Sequence, residues 1–153
     1  MPTPASINPR IVEGLYCEAL VLSDEVRAAF SAPDLSEVGE DDEDLARIAH
    51  SCEALRTTTR MMHAVAWLLN HRAYFVGELS EFQLRRYGRL VELPESDPTS
   101  LALLNARKRE LVRATERFHA RLRRLDAGWR VHDPLMPSAI DRLRVRLGLP
   151  ARH

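Results

Sequence analysis

The chain has 153 residues, enough for one domain with a core of its own and no need of disulfides or a metal. Its 22 basic and 22 acidic side chains balance, which removes the bulk attraction to nucleic acid or to a membrane surface that a strongly basic chain would have. Met1-Pro2-Thr3-Pro4-Ala5-Ser6 lacks the charged and apolar regions of a secretory signal, and the most apolar stretch, Ala64 to Leu69, is too short to span a bilayer. A cytoplasmic chain is therefore expected, with Cys17 and Cys52 as buried free thiols.

The first helix is predicted to begin at Asn8, a good N-cap followed by Pro9 at the first helical position. Leu15, Ala19, Leu22, Val26 and Phe30 recur at helical spacing, and Ser31-Ala32-Pro33 should end the helix. A linker over 31–43 follows, with Asp34, Glu37, Glu40, Asp41, Asp42 and Glu43 and no base. Two roles fit it. Its acids can oppose the positive end of the next helix, or they can form a docking strip for a partner.

The second helix, predicted over Asp44 to Val76, is uninterrupted by Gly or Pro. Leu45, Ile48, Cys52, Leu55, Thr59, Met62, Ala66, Leu69, Ala73 and Val76 alternate by three and four, and this seam is expected to face the core. Gly77 occupies the position of a C-terminal glycine cap. Beside the seam lie Met61, Val65, Leu68 and Phe75 on one flank and Trp67 and Tyr74 on the other. That apolar arc is wider than two neighbouring helices need. A homodimer in which these six flanking residues form the interface accounts for the surplus, and a broader intramolecular core is the alternative.

Ser80-Glu81-Phe82-Gln83 fits a capping box for a short helical piece ending near Gly88 or Leu90. A loop over 91–98 precedes a third long helix from Thr99 to Trp129, with a seam of Leu101, Leu104, Lys108, Leu111, Thr115, Phe118, Leu122, Leu125 and Trp129. Pro134 and Pro137 then break the pattern. Residues 131–153 read as a flexible Pro/Arg-rich tail with a short helix at its end, which leaves 1–130 as the folded domain. The fold class expected is all-α: an antiparallel three-helix bundle with long coiled-coil-like helices, dimeric in its working form.

No phosphate-binding glycine loop, C-x-x-C, H-E-x-x-H, paired E-x-x-H or G-x-S-x-G occurs. His63 and His71 lie eight residues apart, too far to share one metal, and the other histidines are scattered. The residues thus argue against an enzyme, a metal site and a cofactor. The third helix is rich in arginine, with Arg113, Arg117, Arg121 and Arg124 on one face. A solvated face and a site for an acidic partner both fit. A nucleic-acid-associated regulator that uses this face is the alternative function, disfavoured because no aromatics interleave the stripe.

Glu53-Ala54-Leu55-Arg56-Thr57-Thr58-Thr59-Arg60-Met61-Met62, followed by Ala66-Trp67-Leu68-Leu69-Asn70-His71-Arg72-Ala73, resembles the core segment of the alphaproteobacterial regulator-of-CtrA-degradation (RcdA-like) family. Gly77-Glu78-Leu79-Ser80 extends the likeness. Leu93, Asp97-Pro98 and Ser100-Leu101-Ala102-Leu103-Leu104 are similar to the entry of that family's last long helix, so the resemblance spans residues 9 to 130. It implies a dimeric three-helix bundle that acts as an accessory adaptor to the ClpXP protease in cell-cycle-regulated proteolysis. Its partners would be the AAA+ protease or its adaptors and client regulators. On that reading Arg56 and Arg60 on the second helix, and Arg117, Arg121 and Arg124 on the third, are candidate exposed contacts to partners.

Overall fold

A computed structural model describes residues 7–31, 43–131, 143–144 and 146–148. Among them the order is α1 (Pro9–Phe30), α2 (Glu43–Phe75), α3 (Glu81–Tyr87), α4 (Pro98–Ala102) and α5 (Ala106–Val131), with no strand. The all-α bundle is as the sequence predicts. α1, α2 and α5 pack side by side, and the segment carrying α3 and α4 crosses α2 and α5.

Local chemistry sets the helix ends. The Asn8 side chain accepts from the Ile11 amide at 2.9 Å, and Pro9 opens α1. Glu43 and Asp44 place negative charge on the first turn of α2. At its other end Gly77 takes φ +82°, and the amide of Glu78 donates to the Ala73 carbonyl at 2.9 Å. That left-handed cap is open to glycine at no steric cost. Ser80 and Gln83 form the capping box of α3, with both reciprocal bonds made.

The third long helix differs from the expected one. It is broken at Leu103–Asn105, so a short α4 capped by Asp97 precedes α5. Asn105 causes the break: its side-chain oxygen accepts from the Lys108 amide at 2.8 Å, as an N-cap does. The apolar period runs through the break and hides it.

The core gathers Val12, Leu15 and Ala19 from α1, Met61, Ala64, Trp67 and Leu68 from α2, and Phe118 and Leu122 from α5. Leu90 closes it from the crossing segment. Each buried Val, Leu, Met or Phe side chain among them contributes about 1.5–3 kcal/mol. Much of the α2/α5 contact is polar instead: Glu53, Thr57, Arg60, Thr115 and Asp126 are all buried there. Lys108, expected on the α5 seam, is buried over the Phe30 ring. Of the tail, Leu147 donates its amide to the Leu143 carbonyl at 2.9 Å, and both side chains are exposed. The rest of the tail, and residues 32–42 of the acidic linker, lie outside the described residues.

Candidate functional site

The face of α2 expected to be the core seam points away from the bundle. Leu45, Ile48, Leu55, Met62 and Val76 are 58–70% exposed, and Leu69 is 43% exposed. Cys52 lies among them and is also exposed, contrary to the buried thiol expected. At 100° per residue this stripe is about half a turn from the buried face formed by Ala46, Ala49, Glu53, Thr57, Arg60, Met61, Ala64, Trp67, Leu68 and His71. α2 is therefore apolar toward solvent and largely small or polar toward the bundle. The stripe runs the length of a 33-residue helix, roughly 50 Å. Beside it an apolar groove of about 670 Å³ opens between α1 and α2. It is lined by Val26 and Phe30 from α1, and by Met61, Val65 and the stripe residues Met62 and Leu69 from α2. Monomeric proteins rarely leave so long a contiguous apolar surface in water.

A second groove, about 730 Å³, lies between α1 and α5. Arg117, Arg121 and Arg124 line its α5 side and Glu18 and Glu25 its α1 side, with exposed Val21, half-buried Leu22 and buried Phe118 also in the lining. Cys17, also exposed and free, sits on its rim.

Three comparisons bear on identity. Residues 3–149 match the family model described as "Protein of unknown function (DUF1465)". The chain belongs to the DUF1465 family. No curated protein and no solved structure matches it.

The residues singled out in the sequence separate into three places. Met61, Trp67 and Leu68 are interior, 3%, 2% and 0% exposed, and pack within their own chain. Val65 is half-buried in the wall of the α1/α2 groove. Tyr74 and Phe75 are half-buried at the end of α2, with ring centroids 5.2 Å apart. The expected core seam faces outward, and the flanking Met61, Trp67 and Leu68, expected at a dimer interface, face the core instead. The reason is physical. Trp67 and Leu68 supply few but large apolar contacts to the core face, while small and polar residues fill the rest of it. The outward face carries more apolar residues in strict heptad order, so periodicity selects it.

Arg60, expected to be exposed, is 3% exposed. Its guanidinium donates to Thr115 Oγ1 at 3.0 Å and lies 3.5 Å from the Glu116 carboxylate. Burial lowers its pKa, opposed by Glu116 and Glu53. Arg56 is half-buried and pairs with Glu53 at 2.6 Å. Arg117, Arg121 and Arg124 do come together, along the α1/α5 groove, away from Arg56 and Arg60. Arg121 pairs with Glu18, and its guanidinium lies 5.2 Å from the centre of the Phe118 ring.

Sequence reasoning missed the buried acids. Glu53 is fully buried and accepts from the Asp97 amide at 3.3 Å. Glu116, only half-buried, accepts from the Ser96 amide at 3.0 Å. Asp126 accepts from Trp67 Nε1 at 3.0 Å, Arg130 Nε at 3.1 Å and the Leu90 amide at 3.3 Å. These bonds fasten the crossing segment over the α2/α5 seam. Among the described residues no three His, Cys, Asp or Glu side chains group as metal ligands, and no helix is long and apolar enough to cross a membrane.

Proposed function

We propose that the chain is a non-enzymatic adaptor that works as a homodimer, with a second copy covering the outward stripe of α2. The observation that carries this reading is the heptad-spaced row of exposed apolar side chains along that helix. A second copy supplies an identical row, and a two-fold interface needs one self-complementary patch. The stripe is self-complementary in an antiparallel crossing centred between Thr59 and Met62. Ile48 then faces Ala73, Cys52 faces Leu69 and Leu55 faces Ala66, so large residues meet small ones.

The role as adaptor rests on the likeness of the Glu53–Ala73 stretch to the regulator-of-CtrA-degradation family. On that reading the dimer acts in the cytoplasm beside a ClpXP-type protease and holds a client regulator or a further adaptor near it. Tethering raises the local concentration of the client without new chemistry.

The test is a pull-down from native cytosolic extract with the full chain and with a chain ending at residue 130 as baits. Recovery of the AAA+ unfoldase or its known adaptors, reduced by the truncation, is the expected outcome and assigns the docking to the tail. Recovery of neither by the full chain contradicts the proteolytic role.

A further inference from the structure

Three grooves run between the three long helices. The α2/α5 groove is closed by the crossing segment through the amides of Leu90, Ser96 and Asp97. The α1/α2 groove is apolar and continuous with the α2 stripe. The α1/α5 groove has a different chemistry. Its accessible apolar surface is Val21, 62% exposed, with half-buried Leu22 beside it. Its acids are engaged, Glu18 with Arg121 and Glu25 with Arg107. Among the described residues Arg117 and Arg124 are exposed and meet no carboxylate, and Arg113 continues their row one turn away in the same state. The groove therefore offers apolar surface bordered by uncompensated positive charge.

The tail of this chain does not suit it, and the linker reaches only part of it. The tail carries Arg142, Arg144, Arg146 and Arg152 against Asp133 and Asp141, and shares the sign of the wall. The linker is acidic, but residues 32–42 must leave Ser31 and return to Glu43, which limits their reach to roughly 20 Å. Lys108 lies over Phe30 where α1 ends. Arg117 is about 14 Å further along α5, within that reach, and Arg124 about 24 Å, beyond it, so the linker cannot cover the pair.

We propose that the α1/α5 groove docks an acidic amphipathic helix of a partner protein, its apolar side on Val21 and Leu22 and its carboxylates on Arg117 and Arg124. Arg117 and Arg124 are two turns apart, about 10 Å, the spacing of acids at i and i+7 on a helix laid alongside. The charges bordering the apolar surface set sign and register, and the apolar contact holds the helix. This deepens the adaptor reading by giving the chemistry of one partner, yet it stands on a groove separate from the α2 stripe.

The test is fluorescence anisotropy with the full chain and a labelled synthetic helical peptide bearing leucines on one face and glutamates on its flanks. Matched peptides carry serine for leucine or lysine for glutamate, and a labelled DNA duplex is a fourth probe. The Leu/Glu peptide should bind and the other three should not. Arg117→Glu with Arg124→Glu should weaken binding about tenfold or more, and Val21→Ser should weaken it too. All three positions are exposed, and circular dichroism checks that the variants fold. The proposal is overturned if wild type does not bind, if the variants bind unchanged, if the serine or lysine peptide binds equally, or if DNA binds in preference. The assay contains no protease and is repeated on a chain carrying Leu55→Glu and Met62→Glu. Binding there stands whether or not the dimeric adaptor reading does.

Discussion

At the scale of single residues, the interior is set by how buried polar groups are satisfied. Asp126 is saturated by three donors, whereas His71 is not. It is 1% exposed, between Trp67 and Trp129 at ring-centroid distances of 4.1 and 5.4 Å, and among the described residues neither ring nitrogen has a hydrogen-bond partner. Burial pushes its pKa from 6.5 down to about 4, although Asp126 pulls the other way. His119 is lowered as well, by burial and then by Arg60. A histidine held neutral in the fold but free to charge when unfolded leaves stability flat above pH 6.5. Below that, the unfolded chain binds the proton first, and stability falls by about 1.4 kcal/mol per pH unit for one such group until the folded pKa is reached. Thermal unfolding between pH 6.5 and 5 should therefore show a loss of about 2 kcal/mol from His71. His71→Phe should remove most of that slope and leave stability at pH 7.5 nearly unchanged. An identical slope in the variant would show that His71 is not the group responsible. Residue type alone could not reveal this: His71 and Arg60 both look like surface side chains in the sequence, and only the turn of α2 relative to α5 buries them.

At the scale of elements, the crossing segment from Gly88 to Asp97 has no regular structure and is held by carboxylates reaching up from α2 and α5. Each bond joins a charged acceptor to a backbone amide, a class that contributes about 1.5–3 kcal/mol. Glu53→Ala should free the Asp97 amide and raise its hydrogen-exchange rate about tenfold or more. The Leu90 amide, held independently by Asp126, should keep its protection. Equal acceleration at both would mean that the segment opens as one unit with the bundle. Helix starts and stops were legible because each has its own local chemistry: Asn8, the Ser80/Gln83 box and Gly77 all act where the sequence places them. The break before α5 was not, because Asn105 caps a helix inside an unbroken apolar period. The facing of α2 was misread because the two sides of that helix both repeat at helical spacing, and hydropathy favours the one that lies outside. The arginine face of α5 was legible as a group. Its pairing with a groove was not, since that depends on where α1 packs.

At the scale of the whole molecule, the bundle divides its three grooves by chemistry. One is closed by the chain's own crossing segment, one is apolar and continuous with an exposed heptad seam, and one is apolar with a basic edge. The sequence suggested a surplus of apolar surface on α2 from its wide arc, and the surplus is there on the opposite side of the helix from the one expected. A second copy is proposed to cover the exposed leucine, isoleucine, methionine and valine along roughly 50 Å of this helix. Sedimentation equilibrium tests it most directly, on wild type and on a chain carrying Leu55→Glu with Met62→Glu, at micromolar concentrations. Both substituted side chains point to solvent within one chain, so the variant should keep its helical circular dichroism. Wild type should sediment at twice the chain mass of 17.4 kDa and the variant at that mass. A wild-type chain that sediments as a monomer, or a variant that stays dimeric, would contradict the claim.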